Sequence, residues 1–132
     1  MKLVVGFNGT DESRSALAVA KQHAELFNAK LLVVYSSEGG KGETPESIGK
    51  ITVELDQIRA DLEKEGIDVE VEQLARGFSP GEDIVMFAAE NDADQVYVGI
   101  RKKSRTSKLI LGSTAQYIIL KCRCPVTSVN TG

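Results

Sequence analysis

Short apolar runs and helically spaced apolar residues take turns along this chain with almost no spare sequence between them. That alternation restricts the fold more than any other feature. Leu3-Val4-Val5-Gly6-Phe7 is a continuous apolar run closed by Asn8-Gly9, the pattern of a strand buried on both faces. Thr10 or Asp11 can cap the next segment, where Ala16, Leu17, Ala20, Ala24 and Phe27 recur on one helical face. Leu31 to Tyr35 reads as a second buried strand, and Ser36 to Glu43 as a Gly-rich loop expected to be mobile. Thr44-Pro45 then supplies an N-cap with proline at the first helical position. Ile48, Ile51, Leu55, Ile58 and Leu62 follow at spacings of 3, 4, 3 and 4, until Gly66 stops the helix. Val69, Val71 and Leu74 alternate with acidic residues and predict a half-exposed third strand at a sheet edge.

The second half repeats the pattern. Ser79-Pro80-Gly81-Glu82 reads as a capping box opening a helix through about Glu90. Val96 to Gly99 is a fourth strand, Arg101 to Lys108 a basic loop, Leu111 to Lys121 a fourth helix, and Pro125 to Val129 a fifth strand. Helices between successive strands return the chain in one direction, so the pairing is parallel. The expectation is an α/β fold: an open five-stranded parallel sheet with helices on both faces, forming one domain over residues 1–132. Such sheets bind ligands at the carboxyl ends of their strands, at the topological switch point. The loops after strands one (Asn8, Gly9, Thr10) and four (Gly99 onward) should meet there.

Composition narrows the function classes. Sixteen Lys and Arg against 19 Asp and Glu give a net charge of −3, which argues against a nucleic-acid partner. No apolar run reaches the ~18–20 residues of a membrane span. The start, MKLVVGFNGTDES, is too short in its apolar part for a signal peptide, so a cytoplasmic location is expected.

The densest chemical signal is Gly99 to Ser113, GIRKKSRTSKLILGS. A glycine where a strand ends suits a sharp turn or a close approach to a ligand. Gly112-Ser113-Thr114 opens a helix, whose unpaired amides and dipole favour an anion. Between them Arg101, Lys102, Lys103, Arg105 and Lys108 crowd cations into an otherwise acidic chain, and phosphate oxygens are the natural partner.

At this point the chain resembles the universal stress protein family end to end. Nucleotide-binding members carry glycine, two residues, glycine, nine residues, then glycine and serine or threonine. Gly99, Lys102, Gly112 and Ser113 fall on those positions, with VVGFNGTDESRSAL at the start, Gly77 to Ile84, and Cys124-Pro125-Val126 continuing the likeness. The resemblance implies a Rossmann-like domain of the adenine nucleotide alpha hydrolase type, acting as a stress-response module. It places adenine and ribose near Gly6, Phe7, Asn8 and Val34, and phosphates near Gly99, Lys102, Gly112, Ser113 and Thr114. The implied ligand is ATP, or ADP or AMP, with Mg²⁺ optional and Asp11 or Glu12 as its candidate contacts. The resemblance also implies a homodimer joined through the C-terminal strand, whose edge exposes backbone hydrogen-bonding groups.

Two positions depart from the pattern. Asn8 replaces an aspartate, and Lys102 a glycine whose left-handed conformation a lysine would resist by roughly 1–2 kcal/mol. A non-binding interaction module with a decayed phosphate loop is the alternative. Ser13, His23 and Asp11 share one helix and do not make a convincing triad, so at most weak hydrolysis is expected. Cys122 and Cys124 read as small buried hydrophobes rather than a soft-metal or redox pair.

Overall fold

The computed structural model describes residues 1–40, 42–101 and 111–131. Its elements run β1 (Lys2–Gly6), α1 (Asp11–Phe27), β2 (Lys30–Ser36), α2 (Pro45–Lys64), β3 (Val69–Leu74), α3 (Pro80–Glu90), β4 (Gln95–Arg101), α4 (Ser113–Lys121) and β5 (Val126–Thr131). All four strand pairings are parallel, and the sheet order is β3-β2-β1-β4-β5. The expected α/β architecture is therefore present, with β3 at one edge and β5 at the other.

Alternation along the strands divides the core in two. Leu3, Val5 and Phe7, with Leu31, Val33 and Tyr97, pack against Ala16, Ala20 and Ala24 of α1 and Leu55 and Leu62 of α2. Val4, Leu32, Val34, Val96, Val98 and Ile100 face the other way, onto Ile84 and Phe87 of α3 and Ala115 and Ile118 of α4. The alanine stripe of α1 lets that helix lie close to the sheet. Phe27, expected on this stripe, is instead 52% exposed: it is the last residue of the helix, with its ring 5.7 Å from that of His23.

Local chemistry sets the helix ends. Thr44 and Ser47 form a reciprocal capping box at α2. The box expected at Ser79 is only half made: the Ser79 hydroxyl donates to the Glu82 carboxylate at 2.8 Å instead of leaving it to bond backbone. Strand ends also differ from the expectation, β5 reaching Thr131 rather than Val129. β4 continues past Gly99 to Arg101, and Phe7 lies just beyond β1, its amide still donating to the Val34 carbonyl at 2.9 Å.

Candidate functional site

The sheet order reverses between β1 and β4, and their carboxyl ends diverge around a cavity of about 420 Å³. Val34, Ile84, Val98, Ile100 and Ile118 give it an apolar wall. Gly6 keeps that wall open, since a Cβ there would stand 3.0 Å from Ile84 Cδ1. At the other end lie Gly112, Ser113 and Thr114, with Asn8, Thr10, Glu12 and Ser13 along the α1 side.

Two helix N-termini face this space, and they differ in charge. In α1 the Thr10 hydroxyl accepts from Ser13 N at 3.2 Å, and Asp11 and Glu12 occupy the first turn. The positive end of that dipole is already answered by its own side chains. In α4 the N-cap is Gly112, which has no side chain to cap with, and the first turn holds no acid. Its first backbone bond runs from Gln116 N to Gly112 O, so the amides of Ser113, Thr114 and Ala115 precede the ladder with no capping side chain among the described residues. The Ser113 and Thr114 hydroxyls stand beside them. Of the two N-termini, α4 has the electrostatics that suit an anion.

Asn8 is more committed than its position after β1 suggests. Its Oδ1 accepts from Thr10 N at 3.2 Å and from the Thr10 hydroxyl at 2.6 Å, leaving the amide NH₂ for a ligand. Ser13 is buried, and its hydroxyl donates to Thr10 O at 2.8 Å. Gly99 also serves differently from the expectation of a strand-end turn. It lies inside β4, opposite Val129, and a Cβ on it would overlap the Glu12 carbonyl. The glycine lets the start of α1 press against the sheet beside the cavity.

Eight of the nine expected site residues thus line one cavity: Gly6, Phe7, Asn8, Val34, Gly99, Gly112, Ser113 and Thr114. Lys102 lies outside the described residues, as do Lys103, Arg105 and Lys108; Arg101 ends β4, exposed, at the cavity's margin. Glu12 lines the cavity, whereas Asp11 faces Arg14 at 3.3 Å. The Ser13, His23 and Asp11 trio is dispersed. His23 Nδ1 lies 2.5 Å from the hydroxyl of buried Tyr97, whose titration burial pushes upward.

Sequence reasoning missed a polar cluster behind the cavity. Asp83 is fully buried in α3, accepting from the Ser36 hydroxyl at 2.7 Å and from Arg76 Nε at 2.6 Å. Arg76 also reaches Glu90 at 2.8 Å, and these two carboxylates, Glu90 foremost, hold its guanidinium protonated beyond its ordinary range. Asp83 therefore fixes Ser36, a cavity residue at the end of β2. The available signal was an acid one residue before Ile84 and four before Phe87, on the apolar face of a helix. Beside it, Glu43 gathers the loop after β2, accepting from Ser37 Oγ (2.5 Å), Tyr35 Oη (3.2 Å) and the amides of Glu38 (2.8 Å) and Gly39 (3.3 Å). The Ser37 bond above all keeps the Glu43 carboxyl below its ordinary range.

Comparison with known sequences decides the family. The profile of the universal stress protein family matches residues 1–130. The chain belongs to the universal stress protein family. A universal stress protein of Thermus aquaticus, encoded in the 3′ region of a QAH/OAS sulfhydrylase, is 29% identical over 96% of each chain. The solved universal stress protein of Archaeoglobus fulgidus is 38% identical, with a TM-score of 0.84 over 98% of each chain. A second structure, of the Archaeoglobus fulgidus universal stress protein in complex with dAMP, is 32% identical with a TM-score of 0.76, covering 98% of this chain and 97% of the other. Among the described residues of this universal stress protein, no helix is long and apolar enough to cross a membrane.

Proposed function

We propose that this protein binds an adenine nucleotide in the cavity between the ends of β1 and β4. One observation carries the reading: a single cavity joins an apolar wall to the uncapped, acid-free N-terminus of α4. A purine needs the first and a phosphate the second. The volume of about 420 Å³ falls within the ~300–1,000 Å³ usual for small-molecule sites. Adenine and ribose sit against Val34, Gly6 and Phe7 near the Asn8 amide, and the phosphates near Gly112, Ser113, Thr114 and Gly99. The dAMP carried by an Archaeoglobus fulgidus relative supports the ligand class. Glu12, which lines the cavity, is the residue we assign to a divalent ion such as Mg²⁺ riding on the phosphates.

Binding rather than turnover is the function this site supports. The buried Ser13 hydroxyl is spent on Thr10 O, and His23 faces Tyr97 across the sheet's other face. The edge strand β5 is the surface on which a second copy would add, making a cytoplasmic homodimer that signals nucleotide state in a stress response. Sedimentation at micromolar concentration tests the dimer, and a monomer mass rejects it.

Calorimetry with AMP, ADP and ATP, with and without Mg²⁺, tests the binding. Saturable heat with at least one of them is expected. No heat with any at millimolar concentration would favour a decayed site and an interaction role.

A further inference from the structure

Away from this cavity, Cys122 caps the C-terminus of α4 with an extended backbone (φ −70°, ψ 136°). Cys122 and Cys124 are half-buried while Arg123 between them is exposed. Their sulfurs stand 3.4 Å apart, in van der Waals contact, and both thiols are free. They line a second cavity of about 400 Å³, together with Ala88, Asp92, Lys121 and Arg123. Small molecules can therefore reach a dithiol already gathered in one place.

We propose that Cys122 and Cys124 form a reversible dithiol–disulfide site whose oxidant is hydrogen peroxide. The Cys122 sulfur, as thiolate, attacks one peroxide oxygen. The O–O bond breaks, hydroxide leaves and takes up a proton to become water, and Cys122 becomes a sulfenic acid. Cys124 then attacks the Cys122 sulfur, forming the S–S bond and releasing the sulfenic oxygen as a second water. Two thiols lose two hydrogens and one peroxide is reduced to two waters.

The order of attack follows from the surroundings. Burial, and then the hydrogen bond with Cys122, push the Cys124 thiol up to about 11, so it is the poorer first nucleophile and is left for the second step, in which its proton departs with the sulfenic oxygen as water. Lys121 and Arg123 flank Cys122 on the cavity wall. The new bond closes a ring across the joint between α4, whose other end faces the first cavity, and β5, the sheet edge.

Peptide mapping of the full chain after hydrogen peroxide is the test. The expected result is one peptide holding both cysteines and lighter by two hydrogens, restored by dithiothreitol. Cys124→Ser should stop at a sulfenic acid that dimedone traps, and Cys122→Ser should react roughly ten-fold more slowly than the native chain. Circular dichroism confirms that both variants fold, and the mapping of the native chain stands without them. Oxygen added separately to either cysteine of the native chain, or disulfides only between chains, would overturn the proposal. So would faster reaction at Cys124 than at Cys122.

Discussion

The backbone of Glu12 lies so close to Gly99 that a Cβ there would overlap the Glu12 carbonyl and stand 2.9 Å from the Ser13 amide nitrogen. The first turn of α1 is thereby set directly on β4, and Ser13 with it. Gly99→Ala should cost about 3 kcal/mol in denaturant unfolding, because backbone cannot step aside as a side chain can. Unchanged stability would show that α1 does not pack here as described.

Gly112 offers an opposite pair of effects. Nothing lies within 4 Å of a Cβ built there, and its φ of −63° suits any residue. Gly112→Asp should cap α4 without strain, leaving stability unchanged or raised by a few tenths of a kcal/mol. The same carboxylate should repel a phosphate and weaken AMP binding at least ~10-fold. Unaltered AMP affinity in the capped variant would move the phosphate away from α4.

Asp83→Ala removes the acceptor shared by Ser36 and Arg76. Arg76 keeps Glu90 and is partly exposed, so the loss should be about 2 kcal/mol rather than that of a stranded buried charge. Thermal unfolding measures it. Because Ser36 lines the cavity, nucleotide affinity should fall as well, and an unchanged affinity would confine Asp83 to a structural role.

The loop after β2 should loosen in acid. Glu43 titrates below its ordinary value of 4.5, chiefly through the Ser37 bond. A carboxyl depressed in the folded state stabilises fully above its unfolded value and loses that contribution as pH falls through the folded one. Protection of the Glu38 and Gly39 amides from hydrogen exchange, corrected for intrinsic rates, should therefore drop as pH falls below about 4.5. In Glu43→Ala it should already be lost at neutral pH, and equal protection in both proteins would remove Glu43 from the account.

Element order and the cavity at the ends of β1 and β4 were legible because strand burial and helix spacing are written in short-range patterns such as Leu3 to Phe7 and Ile48 to Leu62. What a residue faces across the sheet was not. Gly99 reads as a turn from its neighbours, yet its lack of a side chain serves a helix that begins 88 residues earlier. Phe27 fits its helical spacing but stays exposed at the end of α1, and Asp83 looks like a helix-start acid until Arg76 and Ser36 close around it. For Gly99 and Asp83 the deciding partners, Glu12 and Ser36, are distant in sequence.

The pairing of β1 on both sides has a consequence for biosynthesis. Leu3 to Val5 can join β2 as soon as residues 31–33 are made, but their other neighbours are residues 95–97. At ~5–20 residues per second, one flank of this apolar strand waits roughly 5–20 s on the ribosome. Throughout that interval the nascent chain carries an open, sticky ribbon, which makes it a natural client for chaperones that shield emerging polypeptides.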